Sequence, residues 1–189
     1  MTREISLDLD DLRAVAACAA ENAAEVLGIF EAFAASDPRP REAIDAARAF
    51  ACGGSRTRAL RDASWAAQRA ARQTGNEAAA HAARAALCAA SAAYLHPLAR
   101  SSQVWHILGA AAHAARAAEL AAGDDANIGT DHIERAARRA SARMVAVLLR
   151  FPPAPTGGAR AGQLMRRLDR ELRGAASSGV FEGSEHRFA

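Results

Sequence analysis

Acid–base or metal chemistry in this chain would have to begin at its histidines. His106 and His113 lie seven residues apart, which puts them on one face of a helix, and His81 and His96 fall on or beside the helix predicted before it. A zinc site needs three or four converging ligands, often two histidines at i, i+4 with a carboxylate, and neither HxxxH nor HExxH occurs. The spacing therefore favours histidines packed among alanines and hydrogen-bonded to neighbours. Nucleophilic chemistry has no better footing. Ser64, Ser91, Ser101 and Ser102 stand in no GxSxG context, and no cysteine has a histidine near it in an activating motif. Gly53-Gly54 and Gly157-Gly158 lack the lysine and the preceding strand of a phosphate loop. No catalytic residue, metal or cofactor is expected, and the chain reads as a non-enzyme.

Charge offers a different kind of site. All 24 basic residues are arginine, and ten of them fall between Arg135 and Arg173 against two acids, Asp169 and Glu171. Residues 1–50 carry the opposite bias, with ten acids and five arginines. Arg135, Arg138, Arg139 and Arg143 form a stripe at i, i+3, i+4 and i+8, opposite Ile133, Ala137, Ala140, Met144 and Leu148. Arg166, Arg167, Arg170 and Arg173 form a second stripe. Such faces contact phosphates or an acidic protein surface, or else remain solvated and pair with acids of the first helix such as Glu21 and Glu25. A net charge of only +3, with no helix-turn-helix pattern and no interleaved aromatics, weighs against nucleic acid without excluding it. Trp65 and Trp105 are the aromatic anchors that a protein interface could use instead.

The elements that must carry these residues are helices. Alanine supplies 54 of the 189 residues and orders in a helix with no side-chain entropy loss. Aromatics are only 5%, so the core leans on a few large side chains: Phe30, Phe33, Phe50, Leu60, Trp65, Leu87, Tyr94, Trp105, Leu108, Leu148 and Phe151. Cys18, Cys52 and Cys88 are odd in number and scattered, which fits free thiols in a reducing cytoplasm. Met1–Ser6 lacks the apolar run of a secretory signal, and charges interrupt every alanine stretch, so no membrane segment is expected.

Punctuation marks the helix ends. The first helix starts after Asp8 or Asp10 and runs to about Ala35, where Asp37-Pro38-Arg39-Pro40 breaks it. A second begins at Pro40 and stops at Gly53-Gly54, and Ser55 caps a third that ends near Gly75. Asn76 caps a fourth that reaches about Tyr94; a fifth carries Val104–Leu108 and ends at Gly123. Thr130, with Asp131 as the competing cap, opens a sixth that continues through Leu148. After the Pro152–Gly158 linker a short helix covers 159–173, with Leu164, Leu168 and Leu172 on one side.

Three stretches between Leu12 and about Leu120 carry a family resemblance: Cys18–Leu27 leading into Phe30-Glu31, Asp37–Phe50, and His106–Ala111 followed by Ala114–Ala118. They resemble a family of alanine-rich helical immunity proteins associated with bacterial polymorphic toxin systems. Asp37-Pro38-Arg39-Pro40 is the most specific of the matching segments, and physically it is a rigid interhelical corner. The segment around His96–Ser101 looks longer than the family's, and helices six and seven lie outside the resemblance. The expected fold is an all-α, irregular bundle of about five helices plus two C-terminal basic helices. Residues 1–123 would form the immunity-protein-like domain, 124–175 an extension packed on it or used for partner contact, and 176–189 a disordered tail. The resemblance implies a cytoplasmic protein that binds a cognate toxin and blocks it sterically, with Arg135, Arg138, Arg139, Arg143, Arg166, Arg167, Arg170, Trp65 and Trp105 as candidate partner-binding residues. The alternative is a helical nucleic-acid-associated or regulatory protein using residues 135–173. Self-association as a homodimer is a further expectation from the small, close-packing side chains.

Overall fold

The computed structural model describes residues 3–179, and among these the chain is all-α. Asp8 opens α1 (Leu9–Glu25) with a capping box: its carboxylate accepts the Asp11 N–H at 2.7 Å, and the Asp11 carboxylate accepts the Asp8 N–H at 3.3 Å. The helix expected to reach Ala35 breaks at Val26, and α2 (Leu27–Phe33) follows. β-Branched Val26, with Gly28 two residues on, is the weakest helical point of that stretch. In the corner before α3 (Arg39–Ala51), Arg39 forks onto Asp37 at 2.8 and 2.6 Å and Arg41 onto Glu31 at 2.8 Å.

Thr57, not Ser55, precedes α4 (Arg58–Gln73), while the Asn76 side chain caps α5 (Glu77–Ser91) by accepting the Ala79 N–H at 2.9 Å. A 3₁₀ turn (Ala92–Tyr94) and an irregular segment lead to α6 (Val104–Ala121). The expected sixth helix is in fact two. Asp125 accepts the Asn127 N–H and starts α7 (Ala126–Arg139) a turn before Thr130; the chain leaves helical geometry at Ala140, and Ser141 caps α8 (Ala142–Leu149). The last helix, α9 (Ala159–Ser177), runs one turn past Arg173. Residues 176 and 177 of the expected tail are thus helical, and its remainder from 180 on lies outside the described residues.

The core follows from how small alanine is. In α5, nine residues are buried, all alanine, while His81, Arg84, Leu87, Cys88 and Ser91 share the remaining, half-buried face, so α5 is a central rod with one face left uncovered. It packs on α6, with α1, α3 and α4 around it, while α7 and α9 cover the other side of α6. The two rods approach so closely at Gly109 that a Cβ there would lie 3.0 Å from Cys88 Sγ. One continuous apolar cluster runs from Ile5 to Leu172. Phe30, Phe50, Leu60, Leu108, Leu148 and Phe151 are buried in it as expected, and Ile133, Leu164, Met165, Leu168 and Leu172 add bulk from α7 and α9. Leu87, Tyr94 and Trp105 are only partly buried against it, and two other expected core anchors stand clear of it. Phe33 ends α2 at the turn toward the Asp37 corner and is 60% exposed, and Trp65 on the outer flank of α4 is 59% exposed.

Two buried carboxylates tie the C-terminal helices to this core. Asp11, nearly inaccessible at the start of α1, accepts Arg143 Nε at 3.0 Å and Arg150 Nη1 at 2.5 Å. Replacing Asp11 with alanine removes the cap partner, takes Arg150's only carboxylate partner among the described residues and leaves Arg143 with Asp8 alone. A loss of about 2 kcal/mol, read by urea unfolding, is the expected result. The second carboxylate is Glu119 on α6, fully buried and held by Arg116 Nη1 at 2.9 Å and by Arg160 Nη2 at 2.6 Å. Gly129 on α7 makes the room: a Cβ there would fall 2.0 Å from Glu119 Oε1.

Candidate partner-binding groove

The arginine stripes do not form an open cationic face. Arg139 pairs with Glu25 and donates to Asn22 at 3.2 Å, and Arg143 grips Asp8 at 2.8 Å besides Asp11. Arg166 donates to the Pro155 and Gly157 carbonyls at 3.1 and 2.5 Å, so it closes the proline-rich linker. Arg173 does the same from further along α9, binding Asp169 and the carbonyls of Leu148, Phe151 and Pro152. Arg167 spans from α9 to Glu134 and Thr130 of α7. Of the seven candidate arginines, Arg135, Arg138 and Arg170 make no ion pair or side-chain hydrogen bond among the described residues. The break at Ala140 explains part of this: it swings Arg143 off the α7 stripe and onto the N-terminus of α1.

The two tryptophans meet at one groove of about 420 Å³ between α4, α5 and α6. Helix α4 supplies Arg61, Ser64, Trp65 and Gln68, a stripe at i, i+3, i+4 and i+7. Leu87, Cys88 and Ser91 come from α5, Tyr94 from the 3₁₀ turn, and Trp105 and His106 from α6. Arg61 lies 4.7 Å over the Tyr94 ring and marks the rim. Of these residues only the tryptophans stood out in the sequence as partner contacts. The α4 stripe was there to be read, but Cys88 and His106 are joined only by the α5–α6 packing.

That juxtaposition of thiol and imidazole is not a catalytic dyad. Burial pushes the Cys88 thiol up to about 12, and burial pushes the His106 imidazole below its ordinary value against a hydrogen bond to Ser91 O at 3.1 Å. A thiolate–imidazolium pair requires the reverse of both shifts. His113 does not share this groove. It pairs with His81 on α5, Nδ1 to Nδ1 at 3.0 Å, and stacks on Trp105 with ring centroids 5.6 Å apart. The pair lines a neighbouring cavity of about 370 Å³ with Arg84, Arg116 and Arg160. No group of three or more histidine, cysteine or acidic side chains is arranged to hold a metal ion among the described residues. Another cavity, about 610 Å³, is lined in part by Asp8, Asp11, Arg143 and Arg150, whose charges already satisfy one another.

A family model described as Imm-5 like putative immunity protein matches residues 6–144. The chain belongs to this family. The match extends the resemblance seen in the sequence past Leu120, through α7 and into α8, so the family's domain includes the Asp11–Arg143 link between its two ends. Both tryptophans and every other residue of the groove fall within the immunity-protein match, whereas Arg166, Arg167 and Arg170 lie beyond it. No curated protein and no solved structure matches the chain. Among the described residues no helix is long and apolar enough to cross a membrane.

Proposed function

We propose that this immunity-family protein is a cytoplasmic, non-enzymatic binder that neutralises a cognate toxin by steric occlusion, and that the Trp65–Trp105 groove is its docking face. The observation that carries the reading is Trp65: it is 59% exposed at the edge of an aromatic-lined groove, while four of the seven candidate arginines are engaged inside the protein. An exposed tryptophan beside a pocket, ringed by polar groups, is the usual composition of an interface hot spot. The shifts of Cys88 and His106 support a binding role over a catalytic one.

Capture of the tagged protein from its host at moderate salt, with nuclease present, should retain one stoichiometric protein. Producing that protein alone should arrest growth, and co-producing this chain should restore it. A captured protein that is harmless on its own would overturn the immunity reading. The second reading, nucleic-acid binding, rests on Arg135, Arg138 and Arg170, which lack partners among the described residues. It requires a nucleic-acid affinity that falls steeply between about 50 and 200 mM salt.

A further inference from the structure

Helix α4 turns its charge to solvent on one side. Arg58, Arg61, Asp62, Trp65, Arg69 and Arg72 fall within an arc of about 100° around the helix, and all six are exposed. Leu60, Ser64, Ala67, Ala70 and Ala71 are buried on the opposite side. Residues 56–73 carry five arginines against one acid, Asp62, a local excess greater than the net +3 of the whole chain. This excess is not neutralised within the protein. Arg58 reaches Asp62 only at 3.5 Å, with its side chain 91% exposed. Arg61, Arg69 and Arg72 make no ion pair or hydrogen bond among the described residues. The helices packed against α4 do carry acids, Glu42 and Asp45 on α3 and Glu77 on α5, yet none comes within ion-pair distance of an α4 arginine. On the C-terminal helices, by contrast, Arg139, Arg143, Arg167 and Arg173 are folded onto acids of the protein. The α4 stripe also borders the groove. Arg61 and Trp65 belong to both, and Arg61 and Arg56 lie 4.7 and 5.7 Å from the Tyr94 ring at its edge.

Resting on the docking reading above, we infer that the α4 face takes an acidic segment of the protein partner, its carboxylates on Arg61, Arg69 and Arg72 and an apolar neighbour against Trp65. A guanidinium with no partner of its own offers a planar fork that matches a carboxylate or a phosphate. Two features favour carboxylates on a protein over a nucleic-acid backbone. Asp62 stands inside the stripe, where it would face and repel a continuous run of phosphates. The exposed Trp65 indole stands at the centre of the stripe, beside a groove floored by Leu87 and Cys88, so the arginines form a charged rim around an apolar patch. Arg61 and Arg72 are about 16 Å apart along the helix axis, which spans about three turns of a partner helix with acids one turn apart. Charges placed on such a rim speed encounter and select the partner more than they tighten the final complex.

Two peptides of one length and shape test this: acetyl-Asp-Glu-Phe-Glu-Asp-amide and its neutral isostere, acetyl-Asn-Gln-Phe-Gln-Asn-amide. Each is titrated into the full-length ¹⁵N-labelled protein at about 50 mM salt, where surface charges are weakly screened, with the indole N–H signals of Trp65 and Trp105 as reporters. The acidic peptide should shift the Trp65 signal and bind about 10-fold more tightly than the isostere, as expected for three exposed ion pairs. Arg61→Gln, Arg69→Gln and Arg72→Gln together should bring that ratio toward one. Arg135→Gln, Arg138→Gln and Arg170→Gln together remove as much charge from α7 and α9 and should leave the ratio unchanged. Both sets lie outside the core, so both variants should melt close to the wild type. A wild-type ratio near one, no response of Trp65 to the acidic peptide, or an equal loss in the two variants would overturn the inference. An oligothymidylate of the same charge that binds more tightly than the acidic peptide would overturn it too, and would assign the face to nucleic acid. Because the peptides stand in for the partner, failure here is separate from failure of the capture and growth experiment.

Discussion

Glu119→Ala is expected to destabilise the protein by about 3 kcal/mol, because it removes the buried carboxylate that joins Arg116 and Arg160 and leaves them only Asp124 and Gln163 as side-chain partners. For a domain of this size that corresponds to a fall in Tm on the order of 10 °C. The size of the effect comes from position. Glu119 is the point where α6, α7 and α9 meet: it is fully buried, Arg160 reaches it from α9, and Gly129 of α7 stands where any side chain would collide with its carboxylate. Gly129→Ala should accordingly cost about 2–3 kcal/mol by forcing the carboxylate off its two arginines. Thermal and urea unfolding of both variants checks this. A melting temperature for Glu119→Ala within about 2 °C of the wild type would mean that α9 is not held through this carboxylate.

The second large effect is acid sensitivity in a range where few proteins without buried histidines show it. Burial, reinforced by Arg84 and Arg116 and only partly opposed by Glu119, pushes His81 down to about 4; burial, with His81 and Arg84 nearby, pushes His113 down to about 3. Both rings are neutral in the folded state at pH 7, and one donates its Nδ1 proton to the other. In the unfolded chain each titrates near 6.5. Between about pH 6.5 and 4 the unfolded state therefore binds protons that the folded state refuses, and stability falls as pH falls. The contribution is complete above pH 6.5 and should decline by up to about 5 kcal/mol for the pair by pH 4.5. His106 and His132, both lowered by burial, add to the slope in the same direction. Asp8 and Asp37, lowered chiefly by the Asp11 backbone N–H and by the Arg39 side chain, lose their favourable charge only below about pH 4. Urea midpoints from pH 7.5 to 4.5 should slope downward, and His81→Gln combined with His113→Gln should flatten most of that slope. A wild-type profile that is level down to pH 5 would contradict a buried neutral pair.

Helix content was easy to read because alanine and the turn residues act locally. Asp8, Pro40 and Asn76 mark the starts of α1, α3 and α5 by backbone chemistry that needs no distant partner. The sequence reading went wrong where two local signals competed. Ser141 could be an interior residue of an amphipathic helix or the cap of a new one, and it is a cap. That one turn decides where Arg143 points, and with it whether the first arginine stripe exists as a surface. Solvation of a charged side chain has no periodic signature: an arginine facing water and one folded onto Asp11 occupy the same kind of helical position. The groove was half legible. Trp65 and Trp105 were visible as anchors, but Gln68, Cys88 and His106 gained their meaning only when α5 and α6 closed to the distance that Gly109 permits. The histidine pair was hidden for the same reason, since His81 and His113 lie 32 residues apart on neighbouring rods.

Docking through the groove is tested most directly by comparing two variants against the captured partner in one binding assay. Trp65→Ala removes the exposed aromatic, and Arg135→Ala, Arg138→Ala and Arg170→Ala together remove the candidate arginines that lack partners among the described residues. Neither change touches the buried core, so both proteins should melt close to the wild type. If the groove is the docking face, Trp65→Ala should weaken binding by about 30-fold or more, as loss of a hot-spot aromatic does, and the triple arginine variant by less than about 5-fold at 150 mM salt. Full affinity in Trp65→Ala with binding lost in the arginine variant would contradict the groove and move the partner to the face formed by α7 and α9.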